Sequence, residues 1–297
     1  MRFLVVGVGS IGTRHIATLK DLGHYVAVYD KDRTKMDKVV AEYGVEVLDF
    51  EAKHLQMDGW LVCTPPELHV GFAMKALERN CHVFIEKPIS NAMSTPEGTV
   101  DEMLALADKK GLTVMTGYQL RFSPGLMKLK DMIDKQQFGP LYHIYAEQGQ
   151  YLPEWHPWEN YLEGYTTYTG IILDSSHEID YCMLLAGSKV VEVKSMINSA
   201  NPLNVQAESM ADILLRFENG VTANIHVDML QREWTRKCKL IMERREMEWR
   251  LLSDKEDCYV AEIKHFCKCI TGEAKAESYT AREVLRVALE AKEVSNV

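Results

Sequence analysis

Short runs of consecutive apolar residues alternate with segments of helical period through the first 120 residues. Residues 3–7 are apolar throughout. A strand covered on both faces has no polar side, so it reads as an unbroken run and not as an alternation. Ile11, His15, Ile16, Leu19 and Leu22 then recur at helical spacing until Gly23 stops them. The pattern repeats with strands at 25–30, 45–48, 60–63, 82–85 and 112–116. Helices lie between them at 32–43, from Pro66 to about Arg79, and from Thr95-Pro96-Glu97 to Lys110. In the last of these, Thr95 reads as an N-cap and Pro96 as the first helical residue. Strands alternating with helices of this length predict right-handed βαβ crossovers and a parallel sheet.

From about residue 121 the pattern changes. A helix is predicted at 124–135, a strand at 141–150, an aromatic loop at 151–169 and a helix at 175–185. Strands follow at 189–198, 209–217 and 221–229. The last two alternate cleanly, with Ala211, Ile213, Leu215 and Phe217 on one and Ala223, Ile225 and Val227 on the other. Asn219-Gly220 between them is a strong hairpin signal. Residues 237–249 predict another hairpin, and 256–270 and 280–295 predict helices. The expected fold is therefore α/β: a domain with a parallel sheet at 1–120, then an α+β domain at 121–297 with a mostly antiparallel sheet. The last helix is expected to pack back on the first domain.

Composition narrows the function classes. The 297 residues are 46% hydrophobic and 26% charged, which excludes disordered, collagenous and coiled-coil chains. The net charge of −9 opposes nucleic acid or an anionic membrane as partner, since both need a basic face. Seven scattered cysteines, an odd number, read as reduced thiols of a cytoplasmic protein. Cys267, Cys269 and His265 fall in a helical pattern where positions two apart do not share a face, so no metal is expected. No run of 18 apolar residues predicts a membrane span. The apolar start resembles a signal peptide, but it ends at Arg14-His15 with no small-residue cleavage pattern.

Gly7-Val8-Gly9-Ser10-Ile11-Gly12 matches G-x-G-x-x-G. The motif is weak alone but specific where it follows a strand and opens a helix inside a βαβ unit. Gly7 allows the turn, Gly9 admits the pyrophosphate, and Gly12 lets helix and strand pack closely. Ser10 and Ile11 open the helix whose N-terminus faces the negative charge. Asp30 ends the second strand, 18 residues beyond Gly12, where a carboxylate accepts hydrogen bonds from ribose hydroxyls and repels a 2′-phosphate. This favours NAD, while Lys31 and Arg33 leave NADP open.

Two further segments sit at strand ends, where the ligand crevice of a parallel sheet lies: Cys63-Thr64-Pro65-Pro66-Glu67-Leu68-His69 and Glu86-Lys87-Pro88. With the glycine loop they resemble the Gfo/Idh/MocA family of NAD(P)-dependent oxidoreductases. The similarity extends to residues 117–124, to Gly170-Ile171-Ile172-Leu173-Asp174-Ser175-Ser176-His177-Glu178-Ile179-Asp180, and to the closing helices. The resemblance implies that Lys87, Asp174 and His177 face substrate and that Glu86 contacts the nicotinamide ribose. It also implies that Thr64, Pro65 and His69 belong to the cofactor site and that the Lys87–Pro88 bond is cis. It further implies a Rossmann dinucleotide-binding domain at 1–120, a large open sheet in the domain at 121–297, and a homodimer or homotetramer built through that C-terminal sheet.

The chemistry fits independently. Oxidising a secondary alcohol needs a base for the hydroxyl proton, and imidazole suits that role. An ammonium stabilises the developing alkoxide. A carboxylate three residues before the histidine orients it or binds a substrate hydroxyl. Trp155, Trp158 and Tyr161 stand in the aromatic stretch just before this motif and would stack on sugar faces; a loop core or subunit contact is the other reading. Trp155-His156-Pro157-Trp158 resembles a segment of members associated with amino-sugar or nucleotide-sugar metabolism. Arg121 would bind a substrate carboxylate or phosphate, or else brace the domain junction. The expected activity is hydride transfer between a secondary hydroxyl of a sugar, cyclitol or nucleotide sugar and a nicotinamide cofactor. The alternatives are an NAD-dependent glycoside hydrolase and a non-catalytic dinucleotide-binding regulator.

Overall fold

The computed structural model describes residues 1–48, 56–155, 170–198, 203, 207–251 and 255–294. Its contacts divide the chain into two units, Met1–Tyr118 with Tyr259–Arg282, and Gln119–Cys258 with Glu283–Val297.

In the first unit β1 (Arg2–Val6), β2 (Tyr25–Tyr29), β3 (Glu46–Val47), β4 (Gly59–Val62), β5 (His82–Glu86) and β8 (Val114–Gly117) form a parallel sheet. Their order is β3-β2-β1-β4-β5-β8. Val5 pairs with Val28 on one side and with Leu61 on the other. Phe3, Val5, Leu61, Phe84 and Ile85 have no exposed surface, which is why these strands show apolar runs and no alternation. Helices α1 (Ser10–Asp21), α2 (Arg33–Tyr43), α3 (His69–Glu78) and α4 (Val100–Lys110) supply the crossovers. The strand order reverses between β1 and β4, which opens a crevice at their carboxyl ends.

Two helix starts differ from expectation. Residues 94–99 form a hairpin of β6 (Ser94–Thr95) and β7 (Gly98–Thr99), with Pro96-Glu97 at its tip. The N-cap of α4 is Thr99 and not Thr95. The Thr99 hydroxyl accepts from the Glu102 N–H at 3.0 Å, and the Glu102 carboxylate accepts from the Thr99 N–H at 2.8 Å. That reciprocal box satisfies two orphan donors, which Thr95 could not do. The helix expected from Pro66 opens as a 3₁₀ turn (Pro66–Leu68) before α3.

The second unit contains α5 (Pro124–Asp134), β9 (Leu141–Gly149), α6 (Leu152–Trp155), α7 (Gly170–Asp174) and α8 (Ser176–Ala186). Its remaining strands are β10 (Val190–Ile197), β11 (Met210–Phe217), β12 (Thr222–Asp228), β13 (Thr235–Met242) and β14 (Glu246–Arg250). The sheet order is β10-β11-β12-β9-β13-β14, antiparallel except for the β9–β12 pair. The β11–β12 hairpin turns at Asn219-Gly220, where Gly220 N–H donates to the Phe217 carbonyl at 2.9 Å. The β13–β14 hairpin turns through Glu243-Arg244-Arg245 without glycine and is closed by Met242 N–H to the Arg245 carbonyl at 3.1 Å. Ala211, Ile213, Ile225 and Leu240 line the buried face, on which α8 packs against β9 and β12. Met196, Leu214 and Tyr145 are exposed.

The last two helices are divided between the two units. Helix α9 (Lys255–Thr271), from Tyr259 on, belongs to the first unit, as does the start of α10 (Ser278–Val294). Phe266 of α9 lies 6.1 Å from the Phe3 ring and 5.7 Å from the Phe84 ring, and it is fully buried with Ile263. The sheet of residues 1–118 therefore completes its core with a helix from 140 residues downstream. At the start of α10, Ser278 Oγ donates to the Val114 carbonyl at 2.6 Å.

Candidate functional site

The glycine turn is built by close approach. Gly7 has φ +89°, and a Cβ there would lie 2.6 Å from the Cys63 carbonyl oxygen. A Cβ on Gly12 would lie 2.0 Å from the Gly7 carbonyl oxygen. These glycines let α1 start directly against the end of β1. Gly9, the N-cap of α1, has nothing within 4 Å of a built Cβ. The first turn of α1, which includes Ser10 and Ile11, carries no acidic side chain. Its free N–H groups and positive end thus face an open space suited to an anion.

That space belongs to a cleft of about 510 Å³ lined by Gly7, Gly9, Asp30, Thr64, Pro65 and Phe72, with Lys31 and Lys35 also on its wall. Asp30 Oδ2 accepts from the Val8 N–H at 2.8 Å, and Oδ1 accepts from the Asp32 N–H at 2.9 Å. The carboxylate is therefore pinned at the end of β2, where a ribose would meet it. Thr64 Oγ1 is buried without a hydrogen-bond partner. An orphan hydroxyl, an open N-cap glycine and a fixed carboxylate fit a dinucleotide. NAD when bound would supply a nicotinamide as the redox group.

The other candidates of the first unit are His69, Glu86 and Lys87. The ring nitrogens of His69 lie 2.9 Å from the Pro88 carbonyl and 2.7 Å from the Thr64 carbonyl. Its ring thus bridges the loops after β4 and β5. Burial lowers its pKa from the ordinary 6.5, while the two carbonyls raise it. The Glu86 carboxylate, expected at the nicotinamide ribose, is nearly buried and internally engaged. Oε1 lies 2.6 Å from His15 Nε2, and Oε2 accepts from the Lys87 N–H at 3.2 Å. Lys87 is half-buried, and the Lys87–Pro88 bond is cis. Burial pushes the Cys63 thiol up, and the charges of Glu86 and Glu262 add to that.

In the second unit Asp174 ends α7 and is half-buried, while His177 lies in the first turn of α8 and is 3% exposed. Ser175 between them donates to Gln148 of β9. Arg121 grips Asp180: Nε lies 2.8 Å from Oδ2, and one terminal nitrogen 2.8 Å from Oδ1. This bidentate pair, with Asp180 1% exposed, engages the Arg121 guanidinium inside the second unit. Buried Glu178 pairs with Arg236 at 2.8 Å. Trp155 closes the short helix α6, while Trp158 and Tyr161 lie outside the described residues. Among the described residues no group of three His, Cys, Asp or Glu could hold a metal ion, and no helix is long and apolar enough to cross a membrane.

Sequence reading missed His15, Glu178 and Arg236. His15 fell on the apolar face of α1 and counted as core. Its only signal was a G-x-x-H spacing after Gly12, which places it one turn below the glycine loop.

A parallel sheet in this order, a glycine turn into a helix and a fixed acidic strand end define a dinucleotide-binding Rossmann unit, followed here by a unit with an open mixed sheet. The chain belongs to the Gfo/Idh/MocA oxidoreductase family. Residues 1–118 match its NAD-binding Rossmann fold and residues 126–248 its C-terminal domain. It is 26% identical to an uncharacterised oxidoreductase of Bacillus subtilis over 74% of this chain, and 26% identical to a myo-inositol 2-dehydrogenase of Thermotoga maritima over 74%. These alignments span 65% and 66% of the relatives' own length, just under two thirds. The fold is also that of a scyllo-inositol dehydrogenase from Lactobacillus casei with bound NAD(H) and scyllo-inositol. That match has a TM-score of 0.88 and 17% identity, covering 100% of this chain and 97% of that one. A UDP-N-acetylglucosamine 3-dehydrogenase from Acidithiobacillus ferrooxidans matches with a TM-score of 0.82 and 22% identity, covering 99% and 97%.

Proposed function

We propose that the protein is an NAD-dependent dehydrogenase acting on a secondary hydroxyl of a sugar, cyclitol or nucleotide sugar. The observation that carries this reading is the cleft in which Asp30 is fixed by two backbone N–H groups beside the open Gly9 turn. Family membership and relatives named for inositol and UDP-sugar oxidation support the substrate class.

The roles we assign follow from side-chain chemistry. His177 accepts the hydroxyl proton, which suits an imidazole near neutrality. Lys87 stabilises negative charge developing on the substrate oxygen. Asp174, three residues before His177, orients the imidazole or holds a neighbouring hydroxyl. Asp30 favours NAD over NADP by repelling a 2′-phosphate. Arg121 acts as the brace of Asp180, and the aromatic stretch at 155–161 supplies the substrate's apolar contacts.

The apolar positions on the sheet of the second unit, Met196, Leu214 and Tyr145, support a homo-oligomer formed through that face. Seven free cysteines support a cytoplasmic protein. The reaction is tested by following NADH fluorescence with myo-inositol, scyllo-inositol and UDP-N-acetylglucosamine. Turnover should fall at least a hundredfold in Lys87→Ala and His177→Ala. Undiminished turnover in Lys87→Ala removes the assigned chemistry, and retained NAD without net reduction indicates a non-redox outcome.

A further inference from the structure

His15 is a fully buried imidazole that the proposed chemistry does not use. It sits one turn into α1, the helix whose first residues face the dinucleotide cleft. Its Nε2 lies 2.6 Å from Glu86 Oε1. The same carboxylate accepts from the Lys87 N–H through Oε2 at 3.2 Å. One side chain thus joins the glycine-loop helix to the backbone of the lysine assigned above to substrate. We propose that His15 is a positioning residue that acts through Glu86 to fix Lys87. This inference rests on the assignment of Lys87.

The packing leaves Glu86 little freedom. A Cβ on Gly117 of the neighbouring strand would lie 3.1 Å from Oε1 and 3.2 Å from Cδ of Glu86, so the carboxylate is seated against bare backbone. The His15 ring is held edge-on by Phe84 at 5.2 Å and faces Tyr259 at 6.1 Å. A carboxylate this buried needs charge-assisted donors to stay in place. Glu86 has one from the His15 ring and one from the Lys87 amide. Removing the ring donor leaves an oxygen desolvated, and the carboxylate must turn to find another partner. The turn takes away the acceptor that holds the Lys87 amide. A misplacement of about 1 Å at a reacting group costs about a hundredfold in rate. On the far side of Lys87, His69 meets the Pro88 carbonyl at 2.9 Å, so the segment is held from both directions.

His15→Phe keeps an aromatic ring against Phe84 and Tyr259 but removes the donor. His15→Gln places an amide N–H near the Nε2 position. Hydrogen–deuterium exchange mass spectrometry reads the Lys87 amide directly and needs no substrate. Exchange in the peptide spanning residues 85–90 should quicken about tenfold in His15→Phe and return to within about threefold of wild type in His15→Gln. With myo-inositol or UDP-N-acetylglucosamine as probe, kcat at saturating NAD should fall 10–100-fold in His15→Phe while the NADH Kd stays within threefold. If His15→Phe does not fold, Glu86→Asp, one methylene too short to reach both partners, should give the same fast exchange. Unchanged exchange in that segment, or a loss confined to NADH affinity, overturns the positioning role. Full turnover by Lys87→Gln instead removes the assignment of Lys87, while the exchange result still decides whether His15 holds that segment.

Discussion

Replacing Gly9 or Gly12 with alanine should separate cofactor binding from folding. A methyl at Gly12 would sit 2.0 Å from the Gly7 oxygen, where ordinary contact begins near 3.4 Å, so α1 would have to retreat by about 1.4 Å. Overpacking of that kind costs about 1–3 kcal/mol. For a chain of this size that lowers Tm by roughly 2–5 °C. Gly9 has φ −69°, open to any residue, and nothing lies within 4 Å of its built Cβ. Alanine there costs a few tenths of a kcal/mol as an N-cap change. Its methyl would nevertheless occupy the space through which a pyrophosphate approaches the N–H groups of α1, and NADH affinity should fall about 10–100-fold, or roughly 1.4–2.8 kcal/mol. Differential scanning fluorimetry with and without NADH, paired with a fluorescence titration, reads both effects. Gly9→Ala should keep the unliganded Tm and lose most of the NADH-induced rise, whereas Gly12→Ala should lose both. An unliganded Gly9→Ala as destabilised as Gly12→Ala, or one binding NADH within threefold of wild type, would refute the reasoning.

Asp30→Ser removes the carboxylate while Lys31 and Lys35 stay on the cleft wall, so preference should move toward NADPH by at least about tenfold. Paired NADH and NADPH titrations read this, and an unchanged ratio rejects the Asp30 assignment. Arg121→Leu takes the bidentate partner from the buried Asp180 carboxylate and should cost about 3–5 kcal/mol in urea unfolding; a loss under about 1 kcal/mol would mean that the pair braces nothing. His226 is raised from 6.5 to about 9, chiefly by Asp228 and with help from Asp212. A raised imidazole contributes fully below its unfolded value of 6.5, and the contribution fades as pH climbs through about 9. At face value this is roughly 3 kcal/mol; partial exposure and screening reduce it to about 1. Between pH 7 and 9.5 the wild-type Tm should drop about 1–2 °C further than that of His226→Gln, and parallel curves would discard the linkage.

The Rossmann half was legible because its signals are local. An apolar run marks a strand buried on both faces, and the next glycine or polar helix face marks its end. Errors arose where two local readings competed. Thr95-Pro96 and Thr99-x-x-Glu102 both signal a helix start, and only the second satisfies two backbone donors at once. The β13–β14 hairpin was legible as a pair of strands at 237–249, and Met242 and Arg245 close its turn through the backbone. The membership of α9 could not be read locally at all. Its apolar face at Ile263 and Phe266 looks the same whichever sheet receives it.

Site residues divide along the same line. Gly7, Gly9, Asp30, Thr64 and Pro65 were legible because parallel strands deliver their carboxyl ends to one edge, so position in the chain predicts position in the cleft. Pairings between elements carry no such rule. Glu86 meets a histidine 71 residues earlier, and Arg121 meets an aspartate 59 residues later. Each of those partners sits in a helix, where the sequence shows only one more residue on a buried face. A buried charge must nonetheless find a partner. In an apolar strand or helix interior an isolated His, Glu, Asp or Arg therefore signals a pairing whose other half lies elsewhere in the chain. By that criterion His15, Glu86, Glu178 and Asp180 were all visible as incomplete halves, and the fold supplied the complements.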